Sequence, residues 1–253
     1  MTILSPRTLV ERLSRGKTFW RRLPAEFGHA PLLVSPDAAL QLLKPGNQAF
    51  DQMLLRFCNE YVTKSSVVWD VGANVGIFAL AAAQRGAGVL AIEPDIFLYS
   101  LLCRTRLHQD NSQLSFEPLC AAIAAKPGTA RLAIAKRGRA SNFLENFDGR
   151  SQSGGVRSTQ LVPVLTLDLL LQRGQGPSLI KIDVEGAEEA VLEGAAEILA
   201  KVRPTILIEV DKDSRENVVT KFQKLNYQLS DYETGCDIEN SNETSTNILA
   251  RPS

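Results

Sequence analysis

The sequence is short of the residues that most often bind metals or form disulfides. Its 253 residues include only two histidines and four cysteines, and no cysteines form a Cys-x-x-Cys pair. This pattern argues against a zinc site or a disulfide framework and indicates reduced thiols. No apolar run approaches the ~18 residues that a membrane-spanning helix needs, and the N-terminus lacks a signal peptide's apolar core. We therefore expect a cytoplasmic protein without a transmembrane segment.

The sequence also lacks an excess of charge of either sign. The 28 basic and 28 acidic residues cancel, so no overall field attracts nucleic acid or an anionic membrane. Hydrophobic residues make up 44% of the chain and charged residues 22%, values typical of a globular protein with a sizeable core. We expect a small-molecule partner and no nucleic acid.

Basic residues are nevertheless concentrated near the N-terminus. They are Arg7, Arg12, Arg15, Lys17, Arg21 and Arg22. They form either a patch for an acidic substrate or membrane surface, or solvated charges on a short helix and loop. Gly16 and Pro24 interrupt any long amphipathic helix here. We interpret residues 1–50 as a helical cover segment and residues 51–253 as one main domain.

Strands and helices alternate regularly through the main domain. Apolar runs such as "SVVWDVG", "GVLAIEP", "SLIKIDV" and "PTILIEV" predict buried strands, and helix-periodic segments separate them. Strands that are apolar on both faces indicate a mostly parallel sheet between two helical layers. The predicted fold is therefore α/β, Rossmann-like and doubly wound. Ligands bind such folds beyond the carboxyl ends of the strands, where the strand order reverses.

Residues from about 129 to 165 depart from this alternation. They predict short strands around the polar loop "FDGRSQSGGVRST", which contains too few apolar residues to be buried. The segment follows the third predicted strand and precedes the next parallel one. It is interpreted as a β insertion that forms a lid over the ligand edge, or alternatively as a plain surface loop.

The loop after the first parallel strand, "DVGANVG", indicates which ligand binds. Its glycines are Gly72 and Gly76, whereas Asn74 stands where a dinucleotide fingerprint would have its second glycine. Asp70 at the strand end would repel a phosphate but suits an ammonium or sulfonium group. The loop therefore favours S-adenosyl-L-methionine (SAM) over NAD.

The second strand ends in "AIEPD" and contributes a further acidic residue. Glu93 stands where a carboxylate accepts hydrogen bonds from ribose hydroxyls, a role that suits both NAD and SAM. Both motifs lie directly after predicted strands, and together they indicate a nucleoside-containing cofactor at the edge of the sheet.

The stretches "WDVGANVGIFAL", "AIEPD" and "LIKIDVEGAEEAVLEGA" resemble the FkbM-type methyltransferases, a branch of the class I SAM-dependent enzymes. The resemblance covers about residues 47–250. It implies a seven-stranded sheet with an antiparallel last strand, and methylation of hydroxyls on sugars or natural products. By matching positions, the loop residues would hold the methionine part of SAM, Glu93 its ribose, and the strand-end alanines its adenine. The candidate cofactor-binding residues are Asp70, Gly72, Ala73, Asn74, Gly76, Glu93, Pro94, Ala121 and Ala122.

A hydroxyl acceptor must lose a proton, so a general base or a metal is needed. Neither histidine is well placed, and a carboxylate is the favoured base. Asp183 ends the strand beside the cofactor loop, and Glu185 follows in the turn, so both are candidate catalytic residues. Alternatively, Asp183, Glu209 and Asp211 could bind Mg²⁺, which prefers oxygen ligands. Glu188 is interpreted as a helix-start charge.

The leading hypothesis is a SAM-dependent O-methyltransferase. N- or carboxyl-methylation on the same fold, an NAD(P)-dependent oxidoreductase and a non-catalytic SAM-binding module are the alternatives.

Overall fold

A seven-stranded sheet forms the centre of the protein in a computed structural model, which describes residues 6–145, 154–172, 174–238 and 246–253, with side chains from Leu9 onward. The helices are α1 (Pro6–Leu13), α2 (Gln52–Tyr61), α3 (Ile77–Gln84), α4 (Ile96–Arg106), α5 (Leu167–Leu171), α6 (Glu188–Glu193) and α7 (Lys212–Lys224). The strands are β1 (Phe19–Arg22), β2 (Pro31–Val34), β3 (Val67–Val71), β4 (Gly88–Ile92), β5 (Phe116–Leu119), β6 (Ala122–Ile123), β7 (Gly128–Ala135), β8 (Phe143–Leu144), β9 (Val156–Leu165), β10 (Leu179–Ile182), β11 (Thr205–Glu209), β12 (Tyr227–Asp231) and β13 (Asn247–Pro252).

The order of the main sheet is β12-β13-β11-β10-β3-β4-β5. Strand β13 is antiparallel to both neighbours, and the remaining pairs are parallel. This confirms the predicted doubly wound α/β fold with an antiparallel last strand. The chain leaves β3 towards β4 on one side and returns through β10 on the other, so the strand order reverses between β3 and β10. The carboxyl ends of β3, β4, β10 and β11 meet at one edge there, where ligands bind in this class of sheet.

Alternate residues of each strand pack into opposite layers, as the pleat requires. In β10, Leu179 packs into the layer that contains α2, α3 and α4, whereas Ile180 and Ile182 pack into the layer of α5, α6 and α7. Burial on both faces explains why these strands read as continuous apolar runs. Lys181 is the exception to this apolar run: it is charged, yet it is buried on the same face as Leu179.

The N-terminal segment is a helix followed by a hairpin. The predicted short helix is α1, but the antiparallel pair of β1 and β2 was not predicted from the sequence. Leu32, Leu33 and Val34 of β2 are buried in the same apolar cluster as α2, α3 and α4. The backbone N–H of Leu33 donates to Oγ1 of Thr105 on α4, at 3.0 Å. This segment therefore covers one face of the main domain.

The predicted β insertion is a separate four-stranded sheet with the order β6-β9-β7-β8. It begins at Ala122, earlier than the predicted residue 129, because the stretch "LSFEPLCAAI", residues 114–123, which predicts a single third strand, divides in two. Its first part is β5 in the main sheet, and its second part is β6, which pairs with β9. Residues 146–153, which include most of the predicted polar loop, lie outside the described residues, so the lid function stays a prediction.

The helix after β10 is shorter than the sequence predicts. The helix-periodic stretch "EGAEEAVLEGAAEILA", residues 185–200, predicts one helix, but α6 ends at Glu193 and is followed by a π-helical turn at Ile198–Val202. Gly194 lies between them, where a Cβ would collide with the carbonyl oxygen of Ala124 in the insertion. Across the described ranges, none of the helices has the length and apolar character required to cross a membrane.

Candidate active site

The turn between β3 and α3 brings the glycine-rich loop against the end of β10. Gly72 has φ of +79°, and a Cβ there would collide with the carbonyl oxygen of Asp183. Only glycine permits both this backbone conformation and this approach. The backbone N–H groups of Gly72 and Ala73 donate to the carbonyl oxygen of Ile92 in β4, both at 3.0 Å. The loop is thus fixed between two strand ends.

A buried lysine links the two acidic strand ends, and sequence reasoning missed it. The Lys181 Nζ lies 3.4 Å from Asp70 Oδ1 and 3.1 Å from Asp183 Oδ2, and it donates to the carbonyl oxygen of Gly72 at 3.0 Å. Burial alone would lower the pKa of Lys181, but the carboxylates of Asp183, Asp70 and Glu209 raise it. Lys181 therefore remains a cation beneath the cofactor loop.

Asp70 lies behind the loop rather than on the cleft surface. Its side chain is 1% exposed, and burial raises the pKa of its carboxyl despite the nearby ammonium of Lys181. The candidates Ala73 and Gly76 are likewise absent from the cleft lining among the described residues. Asp70 and Ala73 instead border a second cavity, described below.

Glu93 is held in place by two backbone N–H groups. Its Oε2 accepts from Asn74 and its Oε1 from Asp95, both at 2.8 Å. Burial raises the pKa of Glu93 to about 7, although both hydrogen bonds lower it. Each oxygen retains a second lone pair, which is available to a ligand hydroxyl.

These elements border a cleft with a cavity volume of about 250 Å³. Its lining includes the sequence-predicted residues Gly72, Asn74, Glu93, Pro94, Ala121, Ala122, Asp183, Glu185 and Glu209. The opposite wall comes from the insertion, through Leu132, Arg139, Ala140, Asn142, Phe143 and Leu144. The structure therefore brings together most predicted site residues, and it adds a wall that the sequence did not specify.

Arg139 connects this wall to the rest of the protein through ion pairs. Arg139 donates to Asp37 of the N-terminal segment at 2.9 Å and to Asp95, the N-cap residue of α4. Its guanidinium also lies 4.5 Å from the ring centroid of Phe97, in cation–π contact. Burial would raise the pKa of Asp37, but Arg157 and Arg139 lower it. Asp37 therefore stays ionised between two arginines.

A second cavity of about 180 Å³ lies on the other side of the cofactor loop. The N-terminal segment contributes part of its lining, including Gln41 and Leu42, and Asp51 at the start of α2 contributes further. Asp183 borders this cavity as well as the cleft, and 34% of its side chain is exposed. A carboxylate therefore stands where the two cavities meet.

The three candidate metal ligands are not brought together as a set. Asp183 and Glu209 border the cleft, whereas Asp211 is the N-cap residue of α7 and does not. Within the described part of the chain, no group of three His, Cys, Asp or Glu side chains could hold a metal ion. The Mg²⁺ prediction gains no support from this arrangement, in which Lys181 is the cation beside Asp183.

The remaining carboxylates of the "DVEGAEE" turn have separate environments. Glu188 begins α6, as expected for a helix-start charge, but it is fully buried, and its Oε1 accepts the N–H of Gly186 at 3.1 Å. Glu189 accepts hydrogen bonds from Asn217, and Glu193 is exposed. Glu185 lines the cleft next to Asp183.

The chemistry of the cleft fits SAM. Asn74 Oδ1 is buried and has no hydrogen-bond partner within the described residues, so it can accept from a ligand ammonium group. Glu93 can accept from ribose hydroxyls, and Ala121, Ala122 and Ile123 provide an apolar surface for a flat ring. The cofactor loop carries no lysine or arginine for a pyrophosphate.

The sheet order, the glycine turn and the acidic strand ends define the class of protein as a SAM-dependent methyltransferase. The chain belongs to the FkbM methyltransferase family, since residues 70–232 match the methyltransferase FkbM domain. The matched region extends from Asp70 through Glu93 and Asp183 to the end of β12, and β13 lies beyond it.

Two curated proteins are similar to this chain. The hexuronic acid methyltransferase AglP of Haloferax volcanii is 24% identical over 203 residues, which cover 79% of this chain and 77% of that protein. The ribosomal protein L11 methyltransferase of Pelotomaculum thermopropionicum is 35% identical over 89 residues, which cover 35% of this chain and 27% of that protein.

Two solved structures of methyltransferases are also similar to this chain. An FkbM methyltransferase from Methylobacillus flagellatus has a TM-score of 0.48 and 18% identity, covering 75% of this chain and 44% of that one. A SAM-dependent methyltransferase from Agrobacterium tumefaciens has a TM-score of 0.49 and 11% identity, covering 94% of this chain and 70% of that one. The chain thus spans less than half the length of the first of these structures.

Proposed function

We propose that the protein transfers a methyl group from SAM to a hydroxyl of a sugar or small natural product. The observation that carries this proposal is the position of Asp183, a partly exposed carboxylate between the cofactor cleft and the second cavity. The relative from Haloferax volcanii acts on a hexuronic acid, which supports a sugar acceptor.

In this proposal, different residues of the cleft bind different parts of the cofactor. Gly72 and Asn74, which line the cleft, would hold its methionine part, whereas Ala73 and Gly76 would set the path of the loop, with Asp70 and Lys181 behind it. Glu93 and Pro94 would hold the ribose, and Ala121 and Ala122 would flank the adenine. When bound, SAM supplies an electrophilic methyl group on a sulfonium ion.

The protein's own task is to position the acceptor and remove its proton. Asp183 is the proposed general base, because its carboxylate faces both cavities and can accept the hydroxyl proton. Lys181 restricts the orientation of Asp183 through its ion pair at 3.1 Å. Glu185 lies within the same cleft lining and is the second candidate for this role. The second cavity is the proposed acceptor pocket, so the N-terminal segment would help to select the acceptor.

This function is tested by incubating the protein with SAM and a panel of monosaccharides, uronic acids and sugar nucleotides. We expect formation of S-adenosylhomocysteine (SAH) together with an acceptor that gains one methyl group as an ether, located by NMR. A methyl ester or an N-methyl product would contradict O-methylation while leaving the methyltransferase class intact. An Asp183→Asn preparation provides the control for background transfer.

The affinity for SAH should depend on pH through Glu93. Ribose hydroxyls donate to the ionised carboxylate, so binding favours the deprotonated form and is weakened when the group is protonated. With a pKa of about 7 in the free protein, the ionised fraction, and hence the affinity, should rise about tenfold between pH 6 and pH 8. Isothermal titration at several pH values measures this dependence. The Glu93→Gln variant should bind more weakly with little pH dependence, and equal slopes in both proteins would contradict the ribose assignment.

A further inference from the structure

A third cavity, lined mainly by basic side chains, lies between the N-terminal helix and the insertion. Its volume is about 460 Å³. The lining residues are Glu11, Arg12, Arg15, Lys136, Arg137, Gly154 and Arg157. The whole chain has no net charge, so five basic residues beside one acidic residue form a local concentration of positive charge. We name this cavity the basic pocket.

Two hydrogen bonds to backbone oxygens connect residues around the basic pocket. Arg15 of the segment after α1 donates to the carbonyl oxygen of Lys136 at 3.4 Å, and the N–H of Lys136 donates to the carbonyl oxygen of Gly155 at 2.9 Å. Gly154 has φ of +65°, and a Cβ there would lie 2.8 Å from Cγ of Arg137. The glycine therefore lets the Arg137 side chain lie close over the backbone.

One of the five cations is already neutralised. Arg157 donates to both carboxylate oxygens of Asp37, at 3.0 and 3.2 Å, which fixes its guanidinium at one side of the pocket. Among the described residues, Arg12, Lys136 and Arg137 form no ion pair. These exposed side chains therefore leave positive charge that an anion entering the cavity can pair with.

We propose that the basic pocket binds the phosphate or diphosphate group of a soluble small molecule. Guanidinium and ammonium groups bind phosphate through charge-assisted hydrogen bonds. A phosphate or diphosphate group carries more negative charge than one carboxylate, so it matches several cations better. The concave shape between helix and sheet suits a small group better than it suits a flat membrane surface. This site goes beyond the methyl-transfer reaction proposed above.

The occupant of the basic pocket would adjoin the wall of the cofactor cleft. Lys136 and Arg137 line the pocket, whereas Arg139, Ala140 and Asn142 of the same loop line the cleft. Arg157 and Arg139 also share the carboxylate of Asp37. A ligand that contacts this loop from the pocket side is therefore next to residues that line the cleft.

The test is isothermal titration of the full chain with sodium pyrophosphate and with UDP at low ionic strength, in the presence of saturating SAH so that the cleft is filled. The Lys136→Gln/Arg137→Gln variant removes two charge-assisted contacts, and we expect the Kd for both probes to rise about tenfold or more. The matched control is Arg104→Gln/Lys224→Gln, which removes one lysine and one arginine from exposed helix surfaces. It should bind like the wild type, and both variants should retain SAH affinity.

Four results would overturn the proposal: no binding of either probe to the wild type, equal binding by the pocket variant, equal weakening in the control, or binding only to vesicles that contain anionic lipid. The last result would assign the surface to a membrane instead. Because the readout is binding and not turnover, failure of the proposed methyl transfer would leave this test unaffected.

Discussion

Replacing Asp183 with asparagine is expected to lower kcat about 100-fold or more, the usual contribution of a general base. The substitution keeps the size of the side chain and an oxygen that can accept from Lys181 Nζ, so the cofactor loop should stay in place. SAH affinity should therefore change little. Turnover is measured as SAH formation with the acceptor found in the sugar panel, and affinity is measured by titration.

Two further variants make this result specific. Glu185→Gln tests the second candidate in the same cleft, and Glu193→Gln removes an exposed carboxylate from α6, the helix that follows this turn. The Glu193 variant should match the wild type. If Asp183→Asn retains full turnover while Glu185→Gln loses it, the base is Glu185 and our assignment of Asp183 is wrong.

Replacing Lys181 with methionine is expected to lower the free energy of unfolding by about 3 kcal/mol or more, because it leaves the buried carboxylate of Asp70 without its cation. The side chain of Asp70 is 1% exposed, so water cannot replace the lost partner. Methionine fills a similar volume, which separates the charge effect from a cavity effect. SAH binding should also weaken, because the carbonyl of Gly72 loses its donor. Urea denaturation followed by circular dichroism measures the stability change.

The double variant Asp70→Asn/Lys181→Met distinguishes this explanation from simple loss of packing. It removes the unpaired charge, so it should recover part of the stability lost in the single variant. Lys224→Met, at an exposed position on α7, is the control and should change stability by no more than about 0.5 kcal/mol. A Lys181→Met protein as stable as the wild type would show that the ion pair contributes nothing to the fold. If the single variant cannot be produced, a soluble double variant would give the same conclusion.

The ligand edge could be predicted from sequence because it depends on local patterns. Apolar runs ending in "DVG", "EP" and "IDV" marked three strand ends, and parallel strands bring their carboxyl ends to one edge. Asp70, Glu93 and Asp183 were expected there, and the structure places all three at that edge. Gly72 was recognisable for the same reason, since a turn between strand and helix that approaches another backbone needs glycine.

Lys181 was missed because its partners lie on another strand and in the turn that follows its own. The register of β10 against β3 makes Lys181 the direct neighbour of Asp70, which is far away in sequence. Within "LIKID" alone, a lysine in a buried strand looks like an isolated exception to the apolar pattern. The signal that could have found it is the presence of opposite charges at matching positions of two strands that were both predicted to be central.

The walls of the site required the tertiary structure for a similar reason. These walls are joined by four residues from three separate parts of the chain: Asp37 in the N-terminal segment, Asp95 at the start of α4, and Arg139 and Arg157 in the insertion. The hairpin of β1 and β2 was not predicted either, because four-residue strands carry too little periodicity to be distinguished from loops.

The sequence by itself determined the doubly wound sheet, the glycine turn and the identity of the residues at the ligand edge. These features depend on periodicity and on backbone conformation, which act over a few neighbouring residues. Only the tertiary structure decided that Lys181 lies between Asp70 and Asp183, that the insertion lines one wall of the cleft, and that basic residues from two segments line one pocket. Ion pairs and cavity walls depend on strand register and on contacts between distant segments, and no local pattern encodes those.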